Sequence, residues 1–155
     1  MSYPMNGGML NFFHPNIPLA TTTAGVLREI DIGAASADHG EMFCFKPCVV
    51  KRLLVAVTGE AISGTSTDPT VVFKRRPTPL SATGEVLAGT VTLPTGTAVG
   101  KTVFKEINVN FAIGDSMEIA HTIGVGTPTG KGFASMECYA MEEEPANNSD
   151  MIKSV

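Results

Sequence analysis

Between Glu106 and Met141 apolar and polar side chains alternate with a period of two. Ile107, Val109 and Phe111 alternate with Glu106, Asn108 and Asn110. Met117, Ile119 and Ile123 alternate with Ser116, Glu118 and Thr122, and Ala134, Met136, Cys138 and Ala140 with Ser135, Glu137 and Tyr139. Successive side chains of a strand point to opposite faces, so each run predicts a strand with one buried face. Gly114-Asp115 and the run Gly124–Gly132 separate the three and read as turns, the second as a hairpin loop.

The same reading extends upstream. From Gly25, Val26, Arg28, Ile30 and Ile32 alternate with Leu27, Glu29 and Asp31, which predicts a first strand. A loop over 33–41 follows, then strands over Met42–Lys46 and Val49–Thr58 with Pro47 between them. Val50–Val57 is apolar except for Lys51 and Arg52, the mark of a central strand. Gly59–Pro69 is rich in Gly, Ser and Thr and reads as a loop; Thr70–Arg76 is a strand closed by Pro77 and Pro79. A short strand over Leu87–Leu93 follows, and then Lys101–Phe111, which contains the first of the three strands above. No window has helical periodicity with caps, so at most a short helical turn is expected in Ala34–Glu41 or Thr97–Gly100. About eight strands with turn residues at the breaks predict an all-β fold: an antiparallel β-sandwich, jelly-roll-like, with an extended N-terminal arm.

Three segments follow from this pattern. Residues 1–23 carry Pro and Gly together with Leu10, Phe12, Phe13 and Ile17, apolar anchors for an arm that packs on its own or a neighbour's surface; a disordered leader is the alternative. Residues 24–141 are the sandwich. Residues 142–155 open with Glu142, Glu143 and Glu144 before Pro145 and read as a solvated acidic tail.

Length and charge narrow the functions. A 155-residue chain is enough for one domain with its own core. Its net charge of −4 argues against nucleic-acid binding, which needs a cationic surface. The first residues lack a basic region followed by an apolar run, so no secretion signal is expected, and no apolar stretch is long enough to span a bilayer. Three cysteines fit free thiols; Cys44 and Cys48 have the spacing of half a zinc site, with no second pair to complete it.

Candidate chemistry is sparse. Asp38-His39-Gly40-Glu41 offers adjacent ligands that do not converge on one ion. His121 falls in register with Met117 and Ile119 and is expected in the core or a subunit contact. Asp115 and Glu118, three apart, point to opposite strand faces and do not make a catalytic pair. The run around Lys131 lacks the spacing and the following helix of a phosphate loop. We expect no enzyme, no catalytic residue, no cofactor and no metal. Lys74, Arg75 and Arg76 form the one basic cluster, either a site for an acidic partner or a charged strand end that discourages edge pairing, and Glu142–Glu144 are its complement, within the chain or across subunits.

The run from Val103 to Pro145 carries a family resemblance. Its alternating strand VFKEINVNF, the turn Ala112–Asp115, the strand SMEIAHTI, the loop GVGTPTGKG and the closing strand FASMECYAMEEEP resemble the small β-sandwich proteins that decorate or cement the capsids of tailed bacteriophages. The resemblance covers a little over a quarter of the chain and carries no catalytic residues with it. It implies a virion protein, a homotrimer on the outer capsid surface, bridging capsomers through the major capsid protein, made in the host cytoplasm, with no nucleic-acid or membrane partner. Residues 1–23 would be the gripping or swapping arm. The competing reading is a carbohydrate-binding β-sandwich module or a tail or fibre accessory protein. Sugars favour aromatic platforms, and with no Trp and two Tyr the candidate here is Tyr139, on the face opposite Met136 and Cys138.

Overall fold

The computed structural model describes residues 13–15, 30–33 and 37–141. Nine strands lie within them: β1 (Phe13–Pro15), β2 (Ile30–Asp31), β3 (Ala37–Cys44), β4 (Cys48–Thr65), β5 (Thr70–Arg76), β6 (Val86–Thr92), β7 (Thr102–Phe111), β8 (Ser116–Thr122) and β9 (Gly126–Ala140). The pairing is nested. β5 pairs with β6, β4 with β7, β3 with β8 and β2 with β9, all antiparallel. Together these pairs make one long hairpin, bent at the β5–β6 connection and rolled so that alternate pairs fall in opposite sheets. Ladders β5·β8 and β4·β9 close the roll. The sheets run β1-β3-β8-β5-β6 and β2-β9-β4-β7. Without β1, which adds an outer strand beside β3, this is the strand order of a jelly roll.

The core is what the alternation predicts. Val71, Phe73, Met117 and Ile119 from the first sheet meet Val50, Leu53, Val55, Val57 and Met136 from the second in one buried cluster. The sheets approach closely where Gly89 of β6 faces β4 and β7: a Cβ there would lie 2.7 Å from Leu53 Cδ1. β4 is central, flanked by β7 and β9. A bulge between Val50 and Arg52 turns both Lys51 and Arg52 outward and restores the inward phase at Leu53. That is how a central strand accommodates two consecutive cations.

Four expectations need correction. β3 starts at Ala37, so Asp38–Glu41 is strand, with a bulge between Asp38 and Glu41, instead of loop. β4 runs on through Gly59–Thr65, leaving only Ser66–Pro69 as the connection to β5. Gly126–Gly132 is the first half of β9, not a hairpin loop; the β8–β9 connection is Ile123–Val125. These two stretches pair with each other through three register shifts, and their Gly, Ser and Thr content serves the bulges. Gly130, at φ +144°, shows why: a Cβ would lie 2.4 Å from Ile62 Cδ1. Finally, Ser116 and Glu118, the polar alternates of β8, are buried along with its apolar residues; the β5–β6 connection runs over the row of charges that holds Glu118. Thr97–Gly100 forms turns without a helix.

Candidate interaction surfaces

The basic triplet sits at the end of β5, an interior strand, so it guards no sheet edge. Alternation separates its members. Lys74 and Arg76 project from the outer face of the five-stranded sheet, where register aligns Glu41 of β3 with Glu118 of β8 and Glu118 with Lys74. Arg76 binds three carboxylates: Nη1 donates to Glu41 Oε1 at 2.6 Å, Nε to Glu85 Oε2 at 2.7 Å, and Nη2 lies 2.7 Å from Glu118 Oε1. Lys74 Nζ lies 3.1 Å from Glu85 Oε1 and 3.3 Å from Glu118 Oε2, the latter a Coulombic contact outside hydrogen-bond geometry. The connection Pro77–Glu85 folds over this row, and the Leu80 backbone N–H donates to Glu41 Oε2 at 2.8 Å. Glu41 and Glu118 are each only 4% exposed. Carboxylates so buried need matched cations and donors. The Arg76 hydrogen bond, with that from Lys74, holds the Glu85 carboxyl below its ordinary value. Glu85 likewise raises Lys74. Burial works against the Arg76 charge, but its bonds to Glu85 and Glu41 outweigh that and raise it.

Arg75 points the other way, toward the core rim. Its Nε donates to Asp115 Oδ2 at 2.7 Å and its guanidinium lies 5.7 Å from the Phe111 ring centroid. The same Asp115 oxygen accepts from Ala112 N at 2.9 Å and so shapes the β7–β8 turn. Asp115 and Glu118 therefore serve different cations on different sides of the sheet. The partners found for the triplet are Glu41, Glu85, Asp115 and Glu118; Glu142, Glu143 and Glu144 lie outside the described residues. Alternation put Lys74 and Arg76 on one face, but their partners come from strands whose pairing no local signal gives.

On the outer face of the four-stranded sheet lies an open groove of about 450 Å³, lined by Lys51, Arg52, Glu106, Ile107, Glu137 and Tyr139. Arg52 lies 3.2 Å from Glu137 and 3.8 Å from Glu106, and 5.6 Å from the Phe104 ring centroid. Lys51 Nζ donates to Asn108 Oδ1 at 2.5 Å. Tyr139, 45% exposed, donates its hydroxyl to Glu137, which raises the phenol above its ordinary value. Phe104 is also exposed. The sequence placed Tyr139 on this face and missed Phe104 and Arg52.

The remaining candidates are structural in position. Cys44, Cys48 and Cys138 are free and buried at one end of the core. A hydrogen bond to Cys138 pushes the Cys48 thiol up to about 12, and one to Cys48 raises Cys44, so neither is ionised near neutral pH. Among the described residues no group of three or more His, Cys, Asp or Glu is placed to hold a metal ion. His121 is buried on the inner, core-facing side of β8. Phe13 of the expected arm belongs to β1, paired with Cys44 of β3; Leu10, Phe12 and Ile17 lie outside the described residues. The chain matches no family model, no curated protein and no solved structure.

Proposed function

We propose that this chain is a non-enzymatic virion structural protein of a tailed bacteriophage, a homotrimeric decoration or cement protein that binds the outer capsid surface and bridges neighbouring copies of the major capsid protein. The observation that carries the reading is the nested four-pair strand order, a jelly roll, an architecture used by viral capsid proteins and by lectins. The rest is compatible with a binding role. The outer face of one sheet is locked by ion pairs, which suits a rigid plug. Leu10, Phe12, Phe13 and Ile17 of the N-terminal segment are apolar anchors, each contributing about 1.5–3 kcal/mol where fully buried against a partner. Repetition over a shell multiplies weak contacts.

The test is cosedimentation of the purified protein with heads of its phage assembled without it. Saturable binding, with heads that better resist heat or chelators, is the expected result; a protein left in the supernatant at every concentration overturns the reading. Removing Met1–Phe12, which leaves β1 in place, weakens binding if the arm grips the shell.

A second reading, a carbohydrate-binding module, is favoured by one observation. Tyr139 and Phe104 are both exposed on the face that holds the Arg52 groove. Glycan-array binding that Tyr139→Ala abolishes would favour it over the capsid reading.

A further inference from the structure

Four side chains cross the outer face of the four-stranded sheet in one line of contacts. Tyr139 of β9 donates its hydroxyl to Glu137, two residues back on the same strand face. Glu137 lies 3.2 Å from Arg52 of β4, and the Arg52 guanidinium lies 5.6 Å from the ring centroid of Phe104 on β7. The line therefore has an aromatic ring at each end and an ion pair in the middle. Register fixes its length. Tyr139 lies four residues along β9 from Ser135, Ser135 is opposite Leu54, and Leu54 is opposite Phe104. Four residues of strand and two strand spacings put the two rings roughly 16 Å apart, the reach of about three linked sugar rings. Each of the four side chains already touches the next, which lowers the ordering cost of binding.

We infer that this line binds a neutral oligosaccharide, with one sugar ring on Tyr139, another on Phe104, and the hydroxyls between them on Arg52, Glu137 and Glu106. The inference rests on the carbohydrate reading above and specifies its ligand. The C–H face of a sugar ring suits the negative face of an aromatic ring. Both aromatics are exposed, and the groove between them is open, so a chain can run past either end. Hydroxyls donate and accept, so they keep the guanidinium and both carboxylates hydrogen-bonded as water leaves. A protein surface laid over the line would bury those same charges, a desolvation cost that can exceed what their pairing returns. Glu106, its side chain 74% exposed, and Glu137 repel acidic ligands. The same repulsion sets aside the chain's own C-terminal stretch, which opens with Glu142, Glu143 and Glu144. The described N-terminal stretches lie elsewhere: Phe13–Pro15 on β3, and Ile30–Asp31 beside Lys131 and Gly132, several residues along β9 from Tyr139.

The test is an array of neutral and acidic oligosaccharides, followed by titration calorimetry with the two- to five-ring members of the best neutral series. The expected result is binding to neutral chains, little or none to sialylated or uronic-acid chains, and affinity that rises with length. Tyr139→Ala and Phe104→Ala each weaken the longest member at least tenfold, toward the affinity of the two-ring sugar. Tyr139→Phe keeps the ring and restores most of the binding, and Val125→Ala, exposed on the β8–β9 connection, leaves it unchanged. If Phe104→Ala fails to fold, the two Tyr139 variants decide. A preference for acidic chains, or binding that neither alanine variant weakens, overturns this site and leaves the carbohydrate reading standing. A blank array overturns both. A blank array with head binding that both alanine variants weaken assigns the face to the capsid protein instead.

Discussion

On the outer face of the five-stranded sheet, Arg76 sits among three carboxylates with its side chain 15% exposed. On the outer face of the four-stranded sheet, Arg52 sits between two with its side chain 47% exposed. Both rows arise in the same way, from charges at polar positions of neighbouring antiparallel strands. What separates them is the cover. Pro77–Glu85 crosses the first row and contributes a backbone donor to Glu41, whereas no described segment crosses the second. Burial raises the cost of every unmatched charge, so the first row is tied to the fold's stability and the second is left free to meet something else.

The largest test of that contrast is Arg76→Ala. It leaves Glu41 and Glu118 buried without their guanidinium, Glu41 with only the Leu80 N–H and Glu118 with only Lys74 beside it, and a loss of about 3–5 kcal/mol in urea unfolding is expected. Replacing Arg76, Glu41 and Glu118 together with Met, Gln and Gln should recover most of that loss, because no unpaired charge stays buried. A triple variant no more stable than Arg76→Ala would mean that the row is not an electrostatic unit.

The cover is tested at Leu80. Leu80→Pro removes the N–H that reaches Glu41 and is incompatible with φ 60°, so a loss of about 1–3 kcal/mol is expected. Leu80→Gly keeps the donor and suits the positive φ, so it should be neutral or slightly stabilising, although the large exposed side chain is gone. Equal losses in the two variants would sink the latch.

How much of this contrast was legible beforehand depends on distance along the chain. The sequence alone sets β5 at its observed limits, because Val71 and Phe73 fix the inward phase and Pro77 and Pro79 end it. Tyr139 was placed outward by parity alone with Cys138. The burial of Glu118 was not legible, since alternation assigns polar positions to solvent and the covering segment comes more than thirty residues earlier in the chain. The outer ends of β4 and β9 were hidden for another reason: bulged pairing recruits the same Gly, Ser and Thr that mark loops. The nesting of strand pairs has no local signal at all.

Acid sharpens the comparison further. Glu85 has its carboxyl held below the ordinary value by Arg76 and Lys74. A group depressed in the folded state contributes stability that is complete above its unfolded value of about 4.3 and is lost as pH falls through the folded value. Urea midpoints are therefore expected to hold steady at mildly acidic pH and fall below about pH 4. In Glu85→Gln that fall should be shallower and the midpoint at pH 7 lower. A parallel pH profile in the variant would show that Glu85 is not part of the acid response.

The smallest effect is expected on the open face. Arg52→Ala removes ion pairs to Glu137 and Glu106 and a contact with Phe104, which looks much like what Arg76→Ala removes. The carboxylates left behind face water, so the loss should be about 0–1 kcal/mol and should shrink further in 0.5 M salt. A loss comparable to that of Arg76→Ala would mean the groove is as structural as the covered row. A near-zero loss leaves Arg52, Glu137 and Tyr139 as side chains the fold does not need in place, which is the condition a recognition surface has to meet.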